Sequence, residues 1–189
     1  MLPLIIEKTG KNTDTFDIRT KLYQNRIIYL DGDITQEQVD GVIMQMLYLD
    51  SVSSEPITLY INSAGGSVVD GLALKDCIYN LRSKVNTVGI GKCASMGAYL
   101  LACGTGTRRA MQNCRILLHT VSTIVEGNIH DFRVEMKELE LLNKIIFSDL
   151  EKFTNFKVFE EITQHDCWLS SEQAKEYNLI DEVIWCLLH

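Results

Sequence analysis

No stretch of this chain is apolar for long enough to cross a bilayer, and its opening, Met1-Leu2-Pro3-Leu4-Ile5-Ile6-Glu7-Lys8, is too short and too lightly charged at its front for a signal peptide. A cytoplasmic protein is the expectation. Six cysteines (Cys77, Cys93, Cys103, Cys114, Cys167 and Cys186) are scattered through apolar contexts without a C-x-x-C pair, so neither a zinc site nor a dithiol redox motif is suggested. They read as reduced, mostly buried thiols, and no metal is expected. Clustered positive charge is missing as well. With a formal net charge of -7, and with Arg108-Arg109 and Lys8/Lys11 read as solvated surface, neither a nucleic-acid backbone nor an anionic membrane is the main partner. There is no low-complexity tract, no linker, and no G-x-x-x-x-G-K-[ST] loop to cradle a nucleotide.

What is present suits one domain with a real core: 189 residues, 46% of them hydrophobic and 23% charged. Strand-then-helix units recur. Arg26 to Leu30 reads as a strand, Asp31-Gly32-Asp33 as a turn, and Val39, Val42, Ile43, Met46 and Leu47 fall at helical spacing behind a Thr35 cap. The second unit has Ile57 to Ile61 as strand, Asn62 to Ser67 as turn and Val68 to Leu81 as helix. The third runs from the strand Val85 to Gly89 through a small-residue junction into a helix ending at Leu101. Such units stack into a parallel sheet with functional groups in the loops outside the strand ends. Beyond Gly104, Arg115 to His119 is a short strand, Thr120 to Asn128 a β-rich connection, and His130 to Phe153 one long amphipathic helix that projects or packs on another subunit. The tail carries a capping box, Ser170-Ser171-Glu172-Gln173, a short helix to Tyr177 stopped by Asn178, and a strand from Asp181 to Trp185.

The junction Gly89-Ile90-Gly91-Lys92-Cys93-Ala94-Ser95-Met96-Gly97-Ala98-Tyr99-Leu100-Leu101 carries the chemistry. A serine on a sharp turn, followed by the free N-H groups of a helix start, meets the needs of an acyl-transfer nucleophile. Close packing of a helix on the sheet explains the same small residues equally well. A serine nucleophile also needs a neutral imidazole and a group that fixes its tautomer. Of four histidines, His189 is terminal, His130 starts an exposed helix and His165 lies among polar residues, whereas His119 ends an apolar strand. His119 is therefore the candidate base, against the alternative of a strand-end histidine satisfied by backbone. Asp166 is one acid among 25 acidic residues, tethered by Trp168 and Leu169; a plain cap or surface carboxylate is the alternative. The order Ser95, His119, Asp166 differs from the serine, acid, histidine order of the α/β-hydrolases.

Tyr60-Ile61-Asn62-Ser63-Ala64-Gly65-Gly66-Ser67, Ala94 to Leu101, Arg115 to His119 and Asp166-Cys167-Trp168-Leu169-Ser170 together resemble the ClpP family, the proteolytic subunits of the Clp proteases. The resemblance runs from Leu2 to Ile184 and includes Pro3 to Thr9 and Phe16-Asp17-Ile18. It implies an α/β fold of the ClpP/crotonase type spanning residues 1–189, with residues 1–20 as an axial-loop segment, about 120–155 as a handle region, and no propeptide before Met1. It also implies a serine endopeptidase: two stacked seven-membered rings around a chamber, fed with unfolded proteins and peptides by an AAA+ unfoldase that spends the ATP. By match to the family motifs, Ser95 is nucleophile, His119 general base and Asp166 its orienter, and the N-H groups of Gly66 and Met96 form the oxyanion hole, with no cofactor and no metal.

Several residues depart from the family pattern. Ala64 stands where proline is usual, His119-Thr120-Val121 replaces His-Gln-Pro, and Ser122-Thr123-Ile124 replaces glycines, which implies a different shape for the substrate-pairing strand. His165 stands for an arginine that pairs across the rings, so ring contact is expected to depend on pH near neutrality. At the unfoldase-docking positions Thr58, Asn80 and Arg109 are polar, while Tyr60, Val88 and Ile90 remain suitable, so three alternatives to a standard unfoldase are open: a divergent partner, rings mixed with a second ClpP-type subunit, or action alone on peptides. Two other functions are open: a crotonase-like acyl-CoA enzyme, which would not need Ser95, His119 and Asp166 together, and a catalytically silent ring subunit.

Overall fold

Apolar residues at period two from Ile27 to Ile61, and at helical spacing between and after the strands, dictate a layered α/β arrangement. In a computed structural model, which describes residues 3–9, 12–122, 127–155 and 166–185, this is what forms. The chain begins with β1 (Leu4–Thr9), β2 (Asn12–Asp17) and α1 (Ile18–Gln24). It continues through β3 (Ile27–Ile34), α2 (Gln36–Val52), β4 (Ile57–Gly66), α3 (Val68–Asn80), β5 (Val85–Ala94) and α4 (Met96–Ala102). Then come β6 (Arg108–Met111), β7 (Arg115–Leu118), α5 (Ile129–Phe153), β8 (Cys167–Ser170), α6 (Ser171–Glu176) and β9 (Glu182–Ile184).

β1 and β2 form a separate antiparallel pair, and the other strands form one sheet with the order β3-β4-β5-β6-β9. β5 pairs with β4 along one edge and serves two neighbours along the other. Its first half, Thr87 to Gly89, pairs with β6, and its second half, Lys92 to Ala94, pairs with β7, all in parallel. β8 then runs antiparallel to β7. This fork brings the ends of β5, β7 and β8 to one place.

The expected strand-helix units are present, with three longer strands, of which β5 runs past Gly89 to Ala94 by pairing with β7. β3 continues through Asp31-Gly32-Asp33, and β4 continues through Gly66, because the two pair again after a register shift, Asp33 with Gly65 and Ile34 with Gly66. The extra residue lies in β4, where Ser63 and Ala64 stand opposite the one residue Gly32, itself at φ +78°. Thr35 caps α2 by accepting from the Gln38 N-H, and Ser170 and Gln173 form the reciprocal capping box of α6. Such caps contribute about 1 kcal/mol each. Asn128 and Asp131 form a second such box at the start of α5. Two expectations are corrected. Thr120 to Ser122 and Gly127 to Asn128, the described parts of the connection after β7, lie in no strand. Arg108 is not solvated surface: it lies in β6, and its guanidinium pairs with Asp181 at 2.6 Å with the side chain only 11% exposed.

The core is Leu30, Ile57, Leu59, Ile61, Leu74, Leu100 and Ile116 with their neighbours, all fully buried. Burying a side chain of this kind contributes roughly 1.5–3 kcal/mol. α4 is buried on every side, which suits a helix without a polar face. It packs on β4, β5 and β7, with α3 and α5 beside it. A Cβ on Gly97 would stand 3.0 Å from the Ser63 carbonyl oxygen, so the backbone of α4 rests directly on β4. α5 is 25 residues long, and only Ile146, Phe147, Asp149 and Leu150, near its C-terminal end, are buried. Ile129, Phe132, Val134, Met136 and Leu141 are exposed, so the N-terminal half stands away from the core. Among the described residues no helix is long and apolar enough to cross a membrane.

Candidate active site

Ser95 is the single residue between β5 and α4 and sits at φ +55°, ψ -125°. Non-glycine residues avoid that region unless their surroundings hold them there, at a cost of order 1–3 kcal/mol. The holding groups are backbone. The Ser95 N-H donates to the Leu117 carbonyl at 2.8 Å, and the Ser95 carbonyl accepts from the Ala98 and Tyr99 N-H groups, each at 3.0 Å. The side chain makes no capping bond to the helix behind it, which leaves Oγ at the turn. Met96 is the first residue of α4, so its N-H has no acceptor within the helix. Its side chain is buried against Gly71 of α3.

The glycine turn of β4 lies against this serine. A Cβ on Gly65, at φ +105°, would come 2.6 Å from the Ser95 Cβ and 2.9 Å from the Ala94 carbonyl oxygen. One on Gly66 would run into the backbone of Ile34. Only glycine lets three strands of backbone meet so closely. The buried Ser63 fixes the turn, its Oγ donating to the Gly32 carbonyl at 2.5 Å and accepting from the Gly65 N-H at 3.0 Å. Both readings of the small-residue junction therefore hold: Gly97 serves packing, while Ser95 is presented beside Gly65 and Gly66.

His119 follows the last residue of β7, and it opens onto the same cavity as Ser95, Met96 and Val121. Its Nδ1 lies 2.6 Å from the Thr120 carbonyl oxygen. A carbonyl can only accept, so Nδ1 carries a proton, and in the neutral imidazole Nε2 is then the nitrogen left to act as a base. The histidine is satisfied by backbone and still available as a base. Val121 donates its N-H to Asn143 Oδ1 of α5 at 2.9 Å, a bond that a proline at this position could not make.

Asp166 is exposed, and among the described residues no hydrogen bond joins it to His119. The strand register nevertheless brings its backbone near. Leu118 pairs with Cys167, so one further step of the antiparallel ladder sets His119 opposite Asp166. His165, expected as a pH-dependent ring contact, lies outside the described residues, as do Thr123 and Ile124.

Sequence reasoning missed a polar cluster around a buried carboxylate beside the cavity. Tyr99 Oη donates to Asp149 Oδ2 at 2.9 Å, Lys75 Nζ stands 3.5 Å from the same oxygen, and Lys152 Nζ lies 3.2 Å from Oδ1. Burial works to raise the Asp149 carboxyl, but Tyr99 and the two lysines outweigh it and hold the group below its ordinary value. An acidic residue on the apolar face of a long helix was the available signal. The thiol next to the junction is no rival nucleophile: a 3.9 Å contact with Cys114 and burial push Cys93 far up, so it stays protonated. Among the described residues no cluster of His, Cys, Asp and Glu could hold a metal ion.

A second surface lies on a row that crosses the sheet, half-exposed at Tyr29, Tyr60 and Arg109; Val88, expected to be available there for docking, is buried. Tyr29, Tyr60, Val88, Arg109 and Glu182 are register partners in turn along it. Tyr29 stacks on Tyr60 with ring centroids 6.3 Å apart, and Arg109 pairs with Glu182 at 2.7 Å.

Known proteins are similar to this chain over nearly its whole length. The family model described as Clp protease matches residues 10–185. The chain is 36% identical over 188 residues to a protein named ATP-dependent Clp protease proteolytic subunit 1 of Prochlorococcus marinus (strain MIT 9312), covering 97% of this chain and 96% of that one. It is 37% identical over 188 residues to one named ATP-dependent Clp protease proteolytic subunit 2 of Synechococcus sp. (strain CC9605), covering 97% and 95%. The strained serine, the glycine turn against it and the histidine on the same cavity thus sit in a chain that matches these proteins nearly end to end, and it belongs to the Clp protease family.

Proposed function

We infer that this chain is the proteolytic subunit of a Clp-type protease, a serine endopeptidase. The observation that carries the inference is Ser95, held at a positive φ at the head of a fully buried helix, with His119 in the base tautomer on the same cavity. Ser95 Oγ attacks the scissile carbonyl, and His119 Nε2 accepts its proton. The Met96 and Gly66 N-H groups hold the oxyanion, each such donor contributing roughly 10²–10³-fold. His119 then gives the proton to the leaving amine, and a water, activated by the same imidazole, releases the acyl group from Ser95. Asp166 orients the imidazole by taking the Nδ1-H now held by the Thr120 carbonyl; the β7-β8 register supports this. These steps need groups of the protein and one water, and ATP is spent by a partner. Family membership and relatives named as proteolytic subunits favour this reading over an acyl-CoA enzyme or a silent scaffold.

The proposal extends to assembly and location. Two stacked seven-membered rings meshed by α5 would cover its exposed Ile129, Phe132 and Met136, and would place the β1-β2 hairpin at the axial pore. An unfoldase would dock on Tyr60 and Arg109 with Thr58, Asn80 and Ile90 around them, while the buried Val88 takes no direct part. The Arg109-Glu182 pair puts charge where such contacts are usually apolar, so the partner carries a matching polar group there. The cytoplasm is the proposed location. Labelling with a fluorophosphonate, read by mass spectrometry, tests the core of the reading: an adduct is expected on Ser95 and should be lost in Ser95→Ala and His119→Ala. A folded, assembled particle that takes no label would leave the silent subunit standing.

A further inference from the structure

Of the five described cysteines, all free, two touch. Cys93 of β5 and Cys114, the residue before β7, place their sulfurs 3.9 Å apart, and both side chains are buried. Cys93 is the register partner of Ile116, and Cys114 lies two residues before Ile116, so the two thiols project from one face of neighbouring strands. They meet over Gly89, where an added Cβ would stand 3.1 Å from the Cys93 sulfur and 3.2 Å from that of Cys114. The strands they join are those of the active site. Ser95 follows Cys93 by two residues, its N-H donates to the Leu117 carbonyl of β7, and His119 follows the end of that strand. The Cys93 thiol, and more weakly the Arg115 guanidinium, hold the Cys114 thiol below its ordinary value against its burial, so Cys114 is the readier nucleophile of the pair.

We propose that Cys93 and Cys114 form a buried redox site, oxidised by a peroxide to a disulfide that staples the strand presenting Ser95 to the strand leading to His119 and leaves both residues in place. With hydrogen peroxide, the Cys114 thiolate attacks one oxygen, the O-O bond breaks, and the departing hydroxide takes up the proton that the thiol gave. The Cys93 sulfur then attacks the resulting sulfenic sulfur, the S-O bond breaks, and hydroxide leaves with the Cys93 proton as a second water. Two thiols lose two electrons in all, and one hydrogen peroxide is reduced to two waters. The sulfurs close from 3.9 Å to about 2.0 Å. Turning the two side chains supplies that approach while the ladder from Lys92 to Ala94 is kept, and Cys93 gives up its donation to the Ile61 carbonyl at 3.3 Å. A peroxide is close to water in size and follows local openings of the sheet that exclude bulkier oxidants.

The full-length assembled protein is treated with hydrogen peroxide, quenched, blocked with N-ethylmaleimide in denaturant, digested without reduction and read by mass spectrometry. A peptide pair joined at Cys93 and Cys114 is expected, and dithiothreitol should release it. Closing the loop between these two cysteines constrains the unfolded chain, so oxidation should raise Tm by about 5 °C or more. Peptide turnover and fluorophosphonate labelling of Ser95 should stay within about twofold. Cys114→Ser should match the wild type before treatment and show neither the cross-link nor the rise in Tm. Cys93→Ala gives the same test should Cys114→Ser fail to fold. Oxidation at Cys77 or Cys167 acts on wild type and variant alike and leaves the difference between them. Three results overturn the proposal: a pair still reduced at every peroxide concentration at which the particle remains assembled, a pair oxidised to separate sulfinic acids, or a cross-link that leaves Tm unchanged or abolishes labelling. Absence of label before any oxidation counts against Ser95 as nucleophile and leaves the cross-link and Tm to decide the redox site.

Discussion

Ser95 and His119 face one cavity from walls that are held in different ways. On the Ser95 side the positions are set by backbone: the Leu117 carbonyl, the first turn of α4, and the Gly65 turn pressed against the serine Cβ. Each of these belongs to an element whose core residues are buried. On the His119 side β7 has ended, and the next residues are held by the bond from His119 to Thr120 and the single bond from Val121 to Asn143. A strained conformation needs many simultaneous restraints to persist, whereas a histidine in an ordinary conformation needs only a partner for Nδ1. The departures from the family pattern at Thr120, Val121 and Ser122 fall on the side with fewer restraints. Ala64, beside the glycine turn, is the departure that falls on the nucleophile side.

The strongest tests take one residue from each wall. Ser95→Ala should lower peptidase turnover by roughly 10⁶-fold while the fold is kept, since the backbone bonds of residue 95 do not involve its side chain. A fall of less than about 10²-fold in kcat would show that Ser95 Oγ does not attack. Asp166→Asn asks who orients the imidazole. If Asp166 takes the Nδ1 proton in the working enzyme, kcat should drop roughly 10³–10⁴-fold. A drop below tenfold would assign the orienting role to the Thr120 carbonyl, which already holds Nδ1 at 2.6 Å.

The same division explains what the sequence made legible. The units around Leu30, Ile61 and Leu101 could be read from periodicity because their residues answer to a nearby core, and Thr35 and Ser170 announced their caps. Ser95 could be suspected from its small neighbours. Its strain could not, because that comes from Leu117 and Gly65, which are distant in sequence and close only in the folded sheet. The extension of β4 through Gly66 was hidden for the same reason: a glycine pair reads as a turn until a neighbouring strand pairs with it. β6 was missed because its Arg108-Arg109 looks like solvated charge until Asp181 and Glu182 of the chain's last strand region come alongside. Asp149 was hidden because a carboxylate in an amphipathic helix gives no sign of the lysines that will surround it. Asp166 came from family resemblance, and the register of β7 with β8 is its one support in the fold.

A smaller effect probes the loosely held wall. Restoring the family's usual proline with Val121→Pro removes the N-H that Asn143 accepts. The expected cost is about 1 kcal/mol for one lost hydrogen bond, or about 2–4 °C in Tm for a chain of this size. Turnover should change by less than about tenfold, because His119 keeps its own bond to Thr120. Thermal melts and kcat on the same sample check both. A loss of activity with no change in Tm would mean that the segment after His119 positions the base more tightly than its few bonds suggest.

The smallest effect lies in the scaffold behind Ser95. Asp50, in the last turn of α2, accepts from the Ser83 N-H at 2.7 Å, with Arg82 3.3 Å away, just before β5 begins. The Ser83 bond, with help from Arg82 and against a partial burial penalty, holds its carboxyl down to about 2. Because the folded value is the lower one, the unfolded chain takes up the proton first as pH falls. The stabilisation is therefore full above the ordinary carboxylate value near 3.8 and is lost as pH falls through about 2. Asp50→Asn should melt below the wild type at pH 6 and converge with it near pH 2, while fluorophosphonate labelling of Ser95 at pH 6 stays normal. A constant gap in Tm across that range would mean that Asp50 contributes packing rather than charge. A loss of labelling at pH 6 would show that the α2-β5 connection reaches the nucleophile, and that its wall is held less independently than its backbone bonds imply.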